Sequence, residues 1–252
     1  GAPDLETDTL ATNFIVSNPA PVSNGKSLFV GSDFDRKLYV WKSLPDQSGA
    51  APDFVYTMSP PAGQLAVHGN VLVALGREVV HVWKSLPVDG RLPDQSLTGE
   101  LGGVELSKIR GLAMDDRHVY LSDWEHVYVY AGFPDSNTRP EVTIEAEGSL
   151  GLSSDGEYLV VAAGDKHEAR IYRVADLSAR SRPAIVGGRG DERLSGLRSE
   201  MRFNMVMAAS ASHGSLFLAD SGNHRVLGWR RIEDAIAGKD ADLYLGAEDG
   251  RE

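Results

Sequence analysis

The stretch Leu216–Trp229 reads LFLADSGNHRVLGW, in which two apolar runs lie on either side of a short polar cluster. The cluster, Asp220–Asn223, contains the residue types that support tight turns. Apolar runs on both sides of such a cluster predict two short strands joined by that turn. The second run closes on an aromatic residue, Trp229. The sequence therefore predicts a β-hairpin here, and the same pattern recurs along the chain.

The hairpin pattern occurs five times, and each copy ends on an aromatic residue. Successive copies are separated by roughly 40–50 residues, which is the spacing typical of propeller blades, each of them a four-stranded sheet. The last interval is longer because it contains a polar insertion at residues 187–200. The sequence WKSLP occurs at both 41–45 and 83–87, which indicates duplication of the unit. The closing aromatics are Trp41, Trp83, Tyr130, Tyr172 and Trp229.

Each hairpin is flanked by two further strand candidates. A short segment that ends in a turn precedes it, such as Leu112–Asp116, and we expect this to be the innermost strand of the blade. A segment that starts with a proline or an acidic residue follows it, such as Pro140–Ile144. Because proline is confined to edge strands and strand starts, this segment suits an outermost strand.

We therefore predict an all-β fold, a β-propeller of four-stranded antiparallel blades, with residues 1–252 forming a single domain. The repeat count gives five blades, and a six-bladed propeller is the alternative. The repeats lie near residues 14–62, 63–109, 110–148, 149–204 and 205–252.

The composition narrows the classes of function. The formal net charge is −11, and nucleic-acid binding depends on basic groups that neutralise phosphates, so we expect no nucleic-acid partner. The chain has no cysteine, which excludes disulfides and thiolate metal sites. No apolar run is long enough to span a membrane, and we expect a soluble protein without membrane insertion. The sequence begins Gly1–Asp4, with neither an initiator methionine nor the start of a signal peptide. We therefore expect a processed form or a domain excised from a longer chain, and the compartment stays unknown.

The segment Asp220–Val226, together with Trp229 and Ala241–Gly246, resembles the NHL-repeat β-propeller family. Asn223 and His224 match the signature for which the family is named, and Arg225 stands in place of its leucine. The WKSLP segments are similar to the stretch that follows the third strand in bacterial members. The resemblance covers roughly residues 14–246 and implies a propeller that usually has six blades.

Candidate site residues lie at the turns between second and third strands, which share one face of a propeller around the mouth of its channel. Four units place an aspartate at this turn, and the four could together hold calcium, since hard cations take carboxylate oxygens. Alternatively, each aspartate accepts hydrogen bonds from its own turn backbone. Trp124 either binds a partner or packs against a neighbouring loop. The candidates are Asp33, Asp35, Arg77, Asp123, Trp124, Asp165, His167, Asp220 and His224.

These observations favour a non-catalytic binding or scaffold module whose loop face binds a protein, a peptide or a small ligand. One alternative is a metal-dependent hydrolase or lyase with its site at the channel mouth. Another is a domain of a larger enzyme whose chemistry lies elsewhere in a longer chain. Because one fold serves many functions, the choice depends on the site and not on the architecture.

Overall fold

The computed structural model describes residues 20–32, 36–47, 49–187 and 203–246. Within these residues the chain forms five four-stranded antiparallel sheets, in each of which the strand order follows the chain order. This arrangement confirms the predicted fold class, a β-propeller of four-stranded blades, and the count of five from the repeats.

The strands have the following bounds. Blade 1 contains β1 (Ala20–Ser23), β2 (Leu28–Ser32), β3 (Lys37–Trp41) and β4 (Phe54–Thr57); blade 2 contains β5 (Gln64–His68), β6 (Val71–Leu75), β7 (Val79–Trp83) and β8 (Gln95–Thr98). Blade 3 contains β11 (Gly111–Met114), β12 (His118–Ser122), β13 (His126–Ala131) and β14 (Val142–Glu145). Blade 4 contains β15 (Ser149–Ser154), β16 (Tyr158–Ala163), β17 (Glu168–Arg173) and β18 (Ala184–Gly187); blade 5 contains β19 (Val206–Ser212), β20 (Ser215–Asp220), β21 (Arg225–Trp229) and β22 (Leu243–Gly246).

Among the described residues, a short hairpin, a short α-helix and several 3₁₀ turns lie outside the blade strands. A short hairpin, β9 (Glu100–Leu101) and β10 (Val104–Glu105), follows blade 2 and was not expected from the sequence. The helix α1 (Ile232–Ile236) follows the third strand of blade 5, where the sequence predicted about one turn. Among the described residues, no helix is long and apolar enough to cross a membrane.

The described residues form two compact units. The first contains blades 1 and 2 with the β9–β10 hairpin and Asp135–Asn137; the second contains blades 3, 4 and 5. The assignment of the whole chain to a single domain stays a prediction.

The predicted repeat alignment is confirmed by strand pairing. Every closing aromatic lies on the third strand of its blade and is at most 3% exposed. Each one also pairs with an aliphatic residue at the start of the second strand. The pairs are Trp41 with Leu28, Trp83 with Leu72, Tyr130 with Val119, Tyr172 with Leu159 and Trp229 with Leu216.

The three closing tryptophans also make the same polar contact. Each indole N–H donates to a main-chain carbonyl in the loop that follows the third strand, which satisfies the one polar atom of a buried side chain. The acceptors are the carbonyls of Ala50 for Trp41 (3.0 Å), Arg91 for Trp83 (3.2 Å) and Lys239 for Trp229 (2.9 Å). Each acceptor lies four residues before the fourth strand begins, so the tryptophan fixes both the blade core and the end of the loop that leads to that strand.

Successive side chains of a strand point to opposite faces of the sheet, so each inner strand can pack against the blade on either side. In β16 every residue is buried, because one face of blade 4 packs against blade 3 and the other against blade 5. Leu159 and Val161 belong to the apolar cluster shared with blade 3, whereas Val160 belongs to the cluster shared with blade 5. In the first unit, Phe29 and Leu72 belong to the cluster that joins blades 1 and 2.

Candidate functional site

The turns between second and third strands in the second unit lie at one end of its three sheets. We call residues 123–125, 164–167 and 221–224 together the turn surface. They carry five of the candidates named from the sequence, Asp123, Trp124, Asp165, His167 and His224, and a sixth, Asp220, lies directly before the last turn. In the first unit, Arg77 is exposed on the equivalent turn of blade 2, and Asp33 and Asp35 lie outside the described residues.

Asp123 is engaged within its own turn. Its Oδ1 accepts the backbone N–H groups of Glu125 (2.7 Å) and His126 (2.6 Å), and its Oδ2 accepts the Tyr128 hydroxyl (2.6 Å). Burial acts to raise the pKa of this carboxyl, but the hydrogen bonds from Tyr128 and the two amides outweigh it and hold the pKa below its usual value. The ionised Asp123 therefore stabilises the turn.

Asp220 is the last residue of β20 and is fully buried. Its Oδ1 accepts the backbone N–H of Asn204 at 2.6 Å. Its Oδ2 accepts both the side-chain amide of Asn223 (2.8 Å) and the guanidinium of Arg225 (2.8 Å). The Arg225 side chain is 2% exposed, so the pair is a buried salt bridge with further hydrogen bonds on the same carboxylate.

His167 and His224 occupy equivalent places on the turn surface. Each ends a short 3₁₀ turn and adopts a left-handed backbone conformation, with φ of 57° and 53°. Histidine is among the residue types enriched in that region. The two rings differ in role, because His167 accepts the backbone N–H of Met205 at Nδ1 (2.9 Å), whereas His224 is exposed.

The aspartates at and beside the turn surface do not repeat one position. Asp123 is the first residue after its strand, Asp165 lies inside a 3₁₀ turn and is exposed, and Asp220 ends its strand in the core. Turn length separates blade 3, which has three residues between its second and third strands, from blades 4 and 5, which have four. Blades 4 and 5 differ in sequence instead, because Ala163 ends β16 where Asp220 ends β20. The part of the chain that the structure describes contains no group of three or more His, Asp or Glu side chains placed to hold a metal ion.

Trp124 differs from the other tryptophans because it is 43% exposed. Its carbonyl accepts the backbone N–H of Gly148 at 2.8 Å, which fixes the turn to the segment between blades 3 and 4. On the other side of Gly148, a Cβ atom would lie 3.5 Å from Lys166 and 3.8 Å from Asp165. The Gly148 segment therefore brings the turns that carry Trp124 and Asp165 next to each other.

Met205 is an exposed apolar residue that the sequence did not single out. It is 43% exposed and has a left-handed φ of 58°. Its N–H donates to His167, and its carbonyl accepts the backbone N–H of Ser221 at 3.1 Å. Met205 thus lies between the turns of blades 4 and 5, as Gly148 does between those of blades 3 and 4. Its position depends on these contacts, and we find no sequence signal for it.

Comparison with known proteins supports the fold. No protein-family model matches the sequence, and no curated protein matches it. The chain is similar to a solved structure of a nidogen–laminin complex, with a TM-score of 0.60, 14% identity, and coverage of 93% of this chain and 81% of that one. It is also similar to Hsv2 from Kluyveromyces lactis, with a TM-score of 0.53, 10% identity and coverage of 91% of this chain. The chain spans 63% of the length of that Hsv2 chain. At these identities the likeness shows a β-propeller and nothing finer.

Proposed function

We propose that this chain is a non-catalytic binding module of the NHL-repeat type, whose turn surface binds a protein or peptide through Trp124. The main support for the proposal is that the Trp124 side chain is exposed, whereas two carboxylates at and beside this surface are engaged within the fold. The carboxylates of Asp123 and Asp220 are occupied by hydrogen bonds within the fold, whereas the Trp124 side chain is 43% exposed on a turn that is fixed at both ends.

An exposed tryptophan on a rigid turn suits a binding contact. Tryptophan supplies a large contact area and loses little conformational entropy on binding, and it is enriched among residues that dominate binding energy. Met205 adds a second exposed apolar side chain to the same surface, and thioethers adapt to irregular partner surfaces. The two residues belong to neighbouring parts of one surface because the turns of blades 3, 4 and 5 lie at the same end of their sheets.

Two further observations support the finer parts of the proposal. Asn223 and His224 occupy a four-residue turn in which His224 is left-handed, and the same turn recurs at His167. This recurrence supports the resemblance to NHL repeats, because the Asn223–His224 motif then lies on a turn that is repeated from blade to blade. The similar nidogen–laminin structure is a complex between proteins, and we infer the same class of partner for this chain.

The test compares Trp124→Ala with a matched variant, Leu92→Ala, because Leu92 is exposed by 76% on a loop of the first unit. Random linear peptides displayed on phage are selected against the wild-type chain, and the Kd of each selected peptide is measured for all three proteins. We expect Trp124→Ala to weaken binding by about 30-fold, which corresponds to a hot-spot residue of about 2 kcal/mol, and Leu92→Ala to leave it unchanged.

Intrinsic fluorescence provides an independent readout in the same experiment. Three of the four tryptophans are buried and donate their indole N–H groups to carbonyls, so a change in acrylamide quenching on peptide addition reports on Trp124. Peptides that bind wild type and Trp124→Ala equally and leave the quenching unchanged would place the binding surface elsewhere and refute the proposal.

A further inference from the structure

The turn between β1 and β2 contains Asn24 directly followed by Gly25, which is the one Asn–Gly pair in the sequence. Asn24 Oδ1 accepts the backbone N–H groups of Lys26 (3.1 Å) and Ser27 (2.9 Å). Gly25 has a left-handed φ of 85°, and its N–H donates to the Ser23 hydroxyl at 3.0 Å. Asn24 and Gly25 are both exposed. The turn therefore holds the Asn24 side chain beside a peptide nitrogen that lies at the surface.

These features favour attack of the Gly25 nitrogen on Cγ of the Asn24 side chain. The two backbone N–H groups on Oδ1 polarise the side-chain carbonyl and lie where negative charge develops during the attack. Glycine has no Cβ to shield its nitrogen, and a Cβ atom built at Gly25 would have no atom within 4 Å. A bond forms between Gly25 N and Asn24 Cγ, the Cγ–Nδ2 bond breaks, and the Gly25 N–H proton leaves with the amide group as ammonia. Water then opens the resulting succinimide and leaves either an aspartate or an isoaspartate at this position.

The corresponding turns of blades 3 and 4 have an aspartate where blade 1 has Asn24. Asp115 and Asp155 each follow the first strand directly, and Oδ1 of each accepts the backbone N–H groups two and three residues further along, at 2.8–3.0 Å. The second oxygen of each accepts from the next blade. Oδ2 of Asp115 accepts the Ser154 hydroxyl (2.7 Å), and Oδ2 of Asp155 accepts the Gly214 N–H (2.9 Å). The turn itself thus accommodates aspartate as well as asparagine.

Asn24 differs from these aspartates in the partner of its second polar atom. Its Nδ2 donates at 3.3 Å to the main-chain carbonyl of Gly69, which lies in the turn between β5 and β6 of blade 2. A carboxylate at this position would place an oxygen against that carbonyl oxygen, and an ionised carboxylate can only accept hydrogen bonds. Loss of the amide therefore removes the hydrogen bond between Asn24 and Gly69, although the turn is compatible with the product.

We propose that Asn24 is a site of spontaneous deamidation in the folded chain, and that this modification breaks the hydrogen bond between the first turn of blade 1 and blade 2. The aspartate product keeps the acceptor for Lys26 and Ser27 but loses the contact with Gly69. The isoaspartate product also inserts a methylene group into the main chain between the paired strands β1 and β2. Neither Asn24 nor Gly69 belongs to the turn surface, so the proposal does not depend on the binding function proposed above.

The first measurement follows amide loss in the wild-type chain by peptide mapping with mass spectrometry, and isoaspartate is detected by enzymatic methylation. The chain is kept in mildly alkaline buffer, at a temperature at which circular dichroism shows it to be folded. Asn70 is the matched control within the same molecule, because it is exposed in the equivalent turn of blade 2 and is followed by the β-branched Val71. We expect Asn24 to lose its amide at least about tenfold faster than Asn70, which corresponds to about 1.4 kcal/mol in activation free energy. Equal rates at the two asparagines overturn the proposal.

The variant Asn24→Asp tests the consequence of the modification. We expect it to raise the equilibrium constant of urea unfolding by about 5- to 30-fold, because a hydrogen bond is lost and the Gly69 carbonyl then faces a second acceptor. Asn70→Asp adds the same charge to the neighbouring turn and should change that constant by less than about threefold. An Asn24→Asp variant that unfolds at the same urea concentration as wild type overturns the stated consequence for the contact between blades 1 and 2.

Discussion

Replacement of Trp229 by alanine tests the central role of the closing aromatics. Trp229 is 1% exposed, belongs to the cluster between blades 4 and 5, and donates its indole N–H to Lys239 at 2.9 Å. A tryptophan buries about 150–250 Å². At about 25 cal/mol per Å² this area corresponds to about 4–6 kcal/mol, and measured costs of Trp→Ala in cores are about 3–5 kcal/mol. We expect Trp229→Ala to lower the free energy of unfolding by about 3–5 kcal/mol.

The matched control is Trp124→Ala, which makes the same chemical change at an exposed position. We expect it to change the free energy of unfolding by no more than about 0.5 kcal/mol. Trp229→Phe separates the two contributions, because it keeps most of the ring but leaves the Lys239 carbonyl without its donor, at a cost of about 1–3 kcal/mol. Urea unfolding followed by circular dichroism measures all three. Equal costs for Trp229→Ala and Trp124→Ala would refute the reasoning.

Two further predictions concern buried carboxylates. Arg225→Met leaves the fully buried Asp220 without its cationic partner and lowers the free energy of unfolding by about 3–5 kcal/mol. The double variant Asp220→Asn with Arg225→Met recovers part of that loss. A cost below about 1 kcal/mol for Arg225→Met alone would contradict the role of the pair. Asp115 is buried, which acts to raise its pKa, but it accepts from the Tyr120 and Ser154 hydroxyls and from two backbone amides, and its pKa is lowered overall. A carboxyl whose folded-state pKa lies below the unfolded value of about 3.9 stabilises the fold above that pH and loses this contribution as the pH falls through the folded-state pKa. Urea unfolding should therefore show the largest difference between wild type and Asp115→Asn at neutral pH and a shrinking one below about pH 4, and a difference independent of pH would argue against ionic stabilisation.

At the turn surface, the sequence predicted which residues are present but not the position that each one occupies. The sequence placed an aspartate beside each of several turns, but it did not show that Asp123, Asp165 and Asp220 occupy three different positions. The position of each aspartate depends on where its strand ends, and turn length distinguishes only blade 3 from blades 4 and 5. The role of Asp220 depends in addition on Arg225 and Asn204, of which the second is 16 residues away in the chain. For Trp124, the sequence left exposure and packing as equal alternatives, and the structure shows a side chain that is 43% exposed.

The sequence by itself determined the repeated hairpin, the period and the place of the closing aromatics. These features are local, because alternation along a strand and turn chemistry are properties of a few neighbouring residues. Only the tertiary structure decided how the turns of blades 3, 4 and 5 share one surface and how Asn24 comes to donate to Gly69. Those two residues lie on turns of different blades, and their proximity follows from the packing of one sheet against the next, which no local pattern encodes.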